Sequence, residues 1–201
     1  MMFRGLNVLG IPGSLRKGSY NRLLIENAFM MLPEGSNAIM YDISAIPLFN
    51  QDLEKDPPES VRELKEKIRA SDIVLISTPE YNHSYSGVLK NAIDWISRPS
   101  TENPFVSKVV AIFSASTGSV GGSRAQEHLR VVLNALGALV VPRPEVILVN
   151  ADKKFSSEGK LNDPVATELV RQLIKEAVKL VIAVKEADKA VTNNFKINSF
   201  L

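Results

Sequence analysis

The sequence contains no cysteine and only two histidines among its 201 residues. Without cysteine, the chain can form no disulfide, no thiolate nucleophile and no thiolate metal site. The histidines, His83 and His128, stand far apart in the sequence, so we expect no metal site built on them. The N-terminus also lacks a signal-type apolar segment. Together with the missing cysteine, this predicts a cytoplasmic protein.

The chain has neither an excess of charge of one sign nor a long apolar run. Its 24 lysines and arginines nearly balance its 22 aspartates and glutamates, which leaves a net charge of +2. Nucleic-acid binding favours a clustered basic surface, whereas the basic residues here are dispersed. No apolar run approaches the length that spans a bilayer. We therefore expect no nucleic acid and no membrane as partners.

Length and composition predict one α/β domain. A hydrophobic share of 45% over 201 residues is typical of a globule with a single sizeable core. Helical patterns alternate with apolar runs that predict strands at residues 6–11, 38–43, 73–77, 109–114 and 138–149, the last split around two prolines. This alternation favours a doubly wound, five-stranded parallel sheet of order 2-1-3-4-5. We assign residues 1–190 to this domain and residues 191–201 to a C-terminal tail.

The stretch from residue 10 to residue 21 is a turn between a strand and a helix that is rich in glycine and hydroxyls. Backbone N–H groups and the helix dipole favour an anion at such a turn, and Arg16 offers a planar charge suited to phosphate. A P-loop is excluded because Ser19 and Tyr20 stand where lysine and a magnesium-binding hydroxyl are required. The glycine spacing also fails to match a dinucleotide fingerprint. The open alternative is an ordinary turn with Ser19 as the helix N-cap.

Two further loops are expected at the same edge of the sheet. They are residues 78–87, which follow the third strand, and residues 114–122, which follow the fourth. In a doubly wound sheet, ligands bind beyond the carboxyl ends of the strands, where the strand order reverses. A ligand with a phosphate in the first loop and a flat ring between the other two would fit, and FMN has that shape.

Three motifs in this order resemble the NADPH-dependent FMN reductase family. They are Gly13-Ser-Leu-Arg-Lys-Gly-Ser-Tyr-Asn, Pro79-Glu-Tyr-Asn and Gly87-Val-Leu-Lys-Asn-Ala-Ile-Asp-Trp95, and the likeness runs from Val8 to about Glu145. The resemblance implies a flavodoxin-like three-layer sandwich. It also implies a ping-pong enzyme that passes hydride from NADPH through FMN to a quinone, free flavin, azo compound or chromate. The alternatives are a flavodoxin-like electron-transfer protein and a non-catalytic flavin-binding module.

The resemblance also implies which residues bind the cofactor. Those expected at the FMN phosphate are Ser14, Arg16, Ser19, Asn21 and the amide of Tyr20. Those expected along the flavin ring are Pro79, Glu80, Tyr81 and Asn82. Those expected beyond the pyrimidine end are Ser116, Thr117, Gly118 and Gly121. Because flavin chemistry needs no protein acid, we assign no catalytic acid, base or nucleophile and expect the Glu80 carboxylate to be solvated.

One departure from the family pattern and one assembly expectation complete the sequence interpretation. Ser86 stands where the family usually has proline, and we expect this to loosen the loop beside the ring. The family implies a homodimer, or alternatively a homotetramer, with the apolar helix Leu89–Trp95 at the subunit contact. Arg124 and Glu145 are candidates for a further intersubunit pair, although such pairs are more often solvated surface contacts.

Overall fold

The computed structural model describes residues 5–194, and its central feature is a parallel sheet with helices on both faces. The strands are β1 (Asn7–Pro12), β2 (Asn37–Met40), β3 (Ile73–Ser77), β4 (Glu80–Tyr81), β5 (Ser84–Tyr85), β6 (Val109–Ala115), β7 (Leu139–Val140) and β8 (Val146–Leu148). The α-helices are α1 (Tyr20–Phe29), α2 (Glu59–Ala70), α3 (Gly87–Ile96), α4 (Ser123–Ala135) and α5 (Pro164–Asn194).

The sheet has the strand order β2-β1-β3-β6-β7, and β8 also pairs with β6. Both β7 and β8 run parallel to β6, so they are two pieces of one fifth strand. Pro142 and Pro144 lie between the pieces, where proline cannot donate to a strand ladder. The predicted order 2-1-3-4-5 and the predicted split in the fifth strand are therefore confirmed.

The helices form the two outer layers because alternate strand residues point to opposite faces. Along β6, Val110 and Ile112 belong to one core, whereas Ala111 and Phe113 belong to the other. The first core takes its helical residues from α2, α3 and α4, and the second takes them from α1 and α5. This arrangement is the predicted flavodoxin-like three-layer sandwich.

The apolar residues of α3 lie in the core of the chain itself. Leu89, Ala92, Ile93 and Trp95 are all buried against neighbouring elements. Their apolar character was the basis for placing this helix at a subunit contact. The structure corrects that basis, because these side chains are already covered within one chain. The outward face of α3 instead carries the ion pair of Lys90 with Asp94.

Several element boundaries differ from the prediction. The helical pattern of the sequence covers residues 21–32, whereas helix α1 ends at Phe29. Strand β2 ends at Met40 rather than at residue 43, and a short 3₁₀ turn (Ile43–Ala45) follows it. Helix α5 continues to Asn194, past the predicted end at residue 190. The rest of the predicted tail lies outside the described residues. Among the helices of residues 5–194, none is both long enough and apolar enough to cross a membrane.

Candidate active site

The carboxyl ends of three neighbouring strands are aligned in register. Pro12 of β1 lies opposite Ser77 of β3, and Ser77 lies opposite Phe113 of β6. The loops that follow therefore begin side by side at one edge of the sheet. We call them the first loop (13–19), the hairpin loop (78–86) and the glycine loop (116–122). The sequence prediction that three loops share one edge is confirmed.

The first loop leaves most of its backbone donors open. Ser19 is the N-cap of α1, and its hydroxyl accepts from the N–H of Asn21 at 3.2 Å. Within residues 5–194, N–H groups that donate to no protein acceptor are those of Ser14, Leu15, Lys17, Gly18 and Tyr20. These donors precede or begin a helix, where the helix dipole also favours an anion. The ordinary N-cap and the anion site are therefore compatible descriptions of one loop.

Arg16 is exposed and has no acidic partner among the described residues. Its guanidinium lies 5.6 Å from the centre of the Tyr20 ring, and Tyr20 in turn stacks on Phe155 with 5.7 Å between ring centres. Phe155 lies between β8 and α5, where the polar composition of residues 150–163 indicates only a surface loop. The cation–π contact with Tyr20 therefore holds the guanidinium charge of Arg16 at the start of α1, where N–H groups are open.

Asn21 has a structural role that the sequence interpretation missed. It is 3% exposed, and its carboxamide oxygen accepts from Ser77 Oγ and from the N–H of Ala115, both at 2.9 Å. Its Nδ2 donates to the carbonyl of Ala115 at 2.9 Å. The side chain thus joins α1 to the ends of β3 and β6. The carboxamide oxygen and one of the two Nδ2 hydrogens of Asn21 are therefore used inside the fold, and a contact of Nδ2 with the phosphate stays a prediction.

The hairpin loop contains two short antiparallel strands that the sequence interpretation missed. Strands β4 and β5 are joined by Asn82 and His83, whose φ angles are 50° and 66°. Two consecutive left-handed residues are typical of a tight two-residue hairpin turn, and asparagine tolerates this region well. Tyr81 is 56% exposed on this hairpin, which leaves its ring free to contact a ligand.

Glu80 is paired rather than solvated, so the expectation for its carboxylate is wrong. The carboxylate accepts from the N–H of Arg124 at 3.1 Å and from Arg124 Nη1 at 3.0 Å. Its side chain is only 10% exposed. The N-cap of helix α4 is Gly122, which has no side chain to cap the helix. The Glu80 carboxylate takes over this function from another loop and stabilises the helix start.

Arg124 was also a candidate for an intersubunit contact with Glu145. Its Nη1 pairs with Glu80 of the same chain, and the contact with Glu145 stays a prediction. One turn later on α4, His128 Nδ1 lies 3.1 Å from Ser84 Oγ. Two side chains of α4 thus hold the hairpin, which fixes the position of Tyr81 relative to the glycine loop.

The glycine loop follows β6 closely. A Cβ at Gly122, whose φ is 96°, would lie 2.6 Å from Ser114 Cβ, so only glycine fits there. The start of the loop is held by Ser116, whose N–H donates to the Leu148 carbonyl at 2.9 Å. Within residues 5–194, N–H groups without a protein acceptor are those of Thr117, Ser119, Val120, Gly121 and Gly122. This loop offers a second row of neutral donors.

The groups at this edge fit a flavin mononucleotide. Open N–H groups and Arg16 suit a phosphate monoester, and the second row of donors suits the polar end of a flat ring. The acidic side chain between the loops, Glu80, is neutralised by Arg124. Burial and the nearby charge of Asp94 raise the pKa of Tyr85, so this phenol in the hairpin stays neutral at physiological pH.

Comparison with known proteins agrees with this geometry. The profile of the NADPH-dependent FMN reductase family matches residues 6–153. An NAD(P)H-dependent FMN reductase of Pseudomonas aeruginosa is 46% identical over 171 residues, which is 85% of this chain and 92% of that protein. A quinone reductase of Escherichia coli K12 is 42% identical over 147 residues, covering 72% of this chain and 78% of its own length.

A solved structure supports the same assignment. The flavoenzyme FerB of Paracoccus denitrificans, an NAD(P)H:(acceptor) oxidoreductase, superposes with a TM-score of 0.82 at 32% identity. The match covers 89% of this chain and 98% of that one. The chain therefore belongs to the NADPH-dependent FMN reductase family and is an oxidoreductase with FMN as its cofactor and NAD(P)H as its electron donor.

Proposed function

We propose that this chain transfers electrons from NADPH to a small electrophilic acceptor, with FMN bound across the three loops and a quinone as the preferred acceptor. The alignment of Pro12, Ser77 and Phe113 carries this proposal, because it brings the three loops to one edge. The relatives named FMN reductase and quinone reductase support the same class of reaction. Azo compounds, chromate and free flavin are the alternative acceptors, and their kcat/KM values should be compared with those of quinones.

In this proposal the first loop holds the FMN phosphate. The open N–H groups of Ser14, Lys17 and Gly18 donate to its oxygens, and so does the N–H of Tyr20 at the start of α1. The hydroxyls of Ser14 and Ser19 are additional donors. Arg16 supplies the compensating positive charge, which its exposed position beside Tyr20 allows.

The other two loops hold the ring. Pro79, Tyr81 and Asn82 line it, and Glu80 contributes its backbone because its carboxylate is bound to Arg124. The glycine loop lies at the pyrimidine end, with Ser116, Thr117, Gly118 and Gly121. Open N–H groups there would stabilise negative charge at that end of the ring. FMN, when bound, supplies the hydride-transfer chemistry, so no side chain is needed as acid or base.

The overall reaction needs no reactant other than NADPH, the acceptor and a proton. A hydride leaves NADPH and a proton comes from solvent, and together they convert a quinone to its hydroquinone. Donor and acceptor would use the same open side of the site beside Tyr81 in turn. Double-reciprocal plots of initial rate against NADPH concentration, measured at several fixed acceptor concentrations, should therefore give parallel lines. Intersecting lines would show that both substrates bind together and would refute this ordering.

The visible spectrum of the purified protein tests the function most economically. We expect a flavin spectrum that NADPH bleaches under anaerobic conditions and that an added quinone restores. A flavin that NADPH leaves coloured would favour the electron-carrier alternative. A protein that stays colourless after incubation with FMN would favour the non-catalytic module. Repeating the titration with NADH tests the predicted preference for NADPH.

We also propose that the chain forms a homodimer through residues 47–49, which lie between β2 and α2. A homotetramer stays a prediction. Leu48 is 86% exposed, yet the backbone beside it is firmly held. Asn91 Nδ2 and Trp95 Nε1 both donate to the Pro47 carbonyl, and Asn91 Oδ1 accepts from the N–H of Phe49. A rigid backbone that presents an apolar side chain suits a contact between subunits.

The oligomeric state of a charged variant tests this contact. Leu48→Glu should convert the dimer to a monomer in light scattering, because a carboxylate at the centre of an apolar contact is not compensated. Ile39→Glu, at an exposed position on the outer strand β2, is the control and should remain dimeric. A dimer that survives Leu48→Glu would exclude this surface.

A further inference from the structure

The hydroxyl and the N–H of Ser86 are both hydrogen-bonded, although the sequence interpretation expected this residue to loosen the loop. The residue is 2% exposed and is the N-cap of α3. Its hydroxyl donates to the Gly13 carbonyl at 2.5 Å and accepts from the N–H of Leu89 at 3.4 Å. Its own N–H donates to Thr78 Oγ1 at 3.3 Å. The expected loosening of this loop is therefore wrong.

A proline at this position could make none of the bonds that Ser86 donates. It has no N–H for Thr78 and no hydroxyl for the Gly13 carbonyl. The departure from the family pattern thus adds a direct bond between the hairpin loop and the first loop. This bond joins the two loops that the proposed function assigns to opposite ends of the cofactor.

The bond from Ser86 completes the fixation of Gly13. The N–H of Gly13 donates to the Ser77 carbonyl at 2.7 Å, and its carbonyl accepts from Ser86. A Cβ at Gly13 would lie 3.2 Å from Leu89 Cδ2 and from Ser77 O, so the loop sits tightly against α3. The N–H and the carbonyl of Gly13 are thus both hydrogen-bonded, and its Cα packs closely against Leu89, so this residue has little freedom to move.

The orientation of the next N–H group follows from this. A peptide unit is planar and trans, so the N–H of Ser14 points opposite to the carbonyl of Gly13. With that carbonyl held by Ser86, the direction of the Ser14 N–H is set as well. This N–H is one of the open donors of the first loop within residues 5–194.

We propose that Ser86 is a positioning residue that orients the Ser14 N–H toward a phosphate monoester in the first loop. The proposal rests on the proposed function, in which that phosphate belongs to FMN. Ser86 does not touch the cofactor in this account. It acts through Gly13, and its removal should affect the phosphate end of the ligand while leaving the ring end bound.

Comparison of FMN with riboflavin separates this role from general stabilisation. Riboflavin carries the same ring but no phosphate. For Ser86→Ala apoprotein we expect FMN affinity to fall about 3- to 10-fold, the equivalent of one ordinary hydrogen bond, with riboflavin affinity within about 2-fold of the parent chain. Ser86→Thr keeps the hydroxyl and should recover most of the FMN affinity. Fluorescence quenching measures each of these affinities.

Ser97→Ala is the matched control at the other end of α3. The Ser97 hydroxyl donates to the Asp94 carbonyl at 3.1 Å, away from the three loops. We expect this variant to lower the melting temperature without changing either flavin affinity. If Ser86→Ala weakens FMN and riboflavin equally, Ser86 is only structural and the proposal fails. The proposal also fails if neither affinity changes.

A measurement without ligand distinguishes failure of this proposal from failure of the proposed function. If the parent chain binds FMN no better than riboflavin, the phosphate site itself is wrong. Backbone ¹⁵N order parameters of Gly13 and Ser14 in the flavin-free protein then still test the bond. They should fall in Ser86→Ala and stay unchanged in Ser97→Ala, whereas unchanged values in both variants would overturn the positioning role.

Discussion

The first loop and the hairpin loop lie side by side, yet they use their polar groups in opposite ways. The first loop leaves backbone donors and Arg16 open, and it is held mainly through Gly13 and Ser19. The hairpin loop engages Glu80, Ser84 and Ser86 in bonds to other parts of the chain. A loop that binds a charged ligand needs free donors, whereas a loop that supports a flat ring needs a fixed position.

This difference explains why residue type alone is a poor guide to a ligand contact. Asn21 and Glu80 have the polar side chains expected of cofactor ligands, and both turn out to be bound within the protein. Arg16 and Tyr81 remain available, because Arg16 is exposed and has no acidic partner within residues 5–194, and Tyr81 is exposed on the hairpin. The predictions below test this division between open and engaged groups.

The largest effect is expected for Asn21→Ala. Removing this carboxamide leaves the buried N–H of Ala115 and the hydroxyl of Ser77 without their acceptor, so we expect unfolding to become easier by about 3 kcal/mol. Urea denaturation gives the value. Asn27→Ala is the matched control on the same helix, where the side chain donates to Gly159 O and is only partly buried.

For Asn27→Ala we expect a smaller loss of about 1–2 kcal/mol, with flavin affinity unchanged. The reverse pattern would contradict the structural role of Asn21. A stable Asn21→Ala variant that loses FMN affinity and keeps riboflavin affinity would show that Asn21 contacts the phosphate, as the sequence alone suggested.

The second effect concerns the open charge of the first loop. Arg16→Ala should weaken FMN binding by about 1.5–3 kcal/mol, the range for a lost charge-assisted hydrogen bond. Lys17→Ala removes the same charge from the next position and should change binding by less than about 0.5 kcal/mol, because an ammonium lacks the planar fork that suits phosphate and, within residues 5–194, no ring contact holds Lys17 at the helix start as one holds Arg16. Isothermal titration of both apoproteins with FMN checks the contrast, and equal effects would show only a general attraction for anions.

Much of the fold was predictable because buried strands and amphipathic helices have strong periodic patterns. The strand order, the split around Pro142 and Pro144, and the shared edge of the loops all followed from such patterns. The hairpin in residues 80–85 did not, since two-residue strands are too short to produce a period. Its signal was the Asn82-His83 pair, which tolerates left-handed backbone in a tight turn.

The partners of polar side chains were the least predictable part. Glu80 and Arg124 are 44 positions apart, and Ser86 and Gly13 are 73 apart. Such contacts depend on the three-dimensional arrangement of loops, and no local pattern in the sequence encodes them. The stacking of Tyr20 on Phe155 was missed for the same reason.

The smallest effect is expected from the pair that fixes the hairpin. A double-mutant cycle of Glu80→Ala and Arg124→Ala should give a coupling of about 1 kcal/mol in unfolding free energy. The value is modest because the Arg124 side chain is 45% exposed, even though Glu80 is nearly covered. A coupling near zero would mean that the guanidinium of Arg124 adds nothing to the hydrogen bond that the Arg124 N–H donates to Glu80.

The relative affinity of the unmodified apoprotein for FMN and for riboflavin tests the central claim most directly. If the open donors of the first loop hold the phosphate, FMN should bind at least about 100-fold more tightly, since two charge-assisted bonds or more distinguish the ligands. Equal affinities for the two flavins would contradict the phosphate site in residues 13–19.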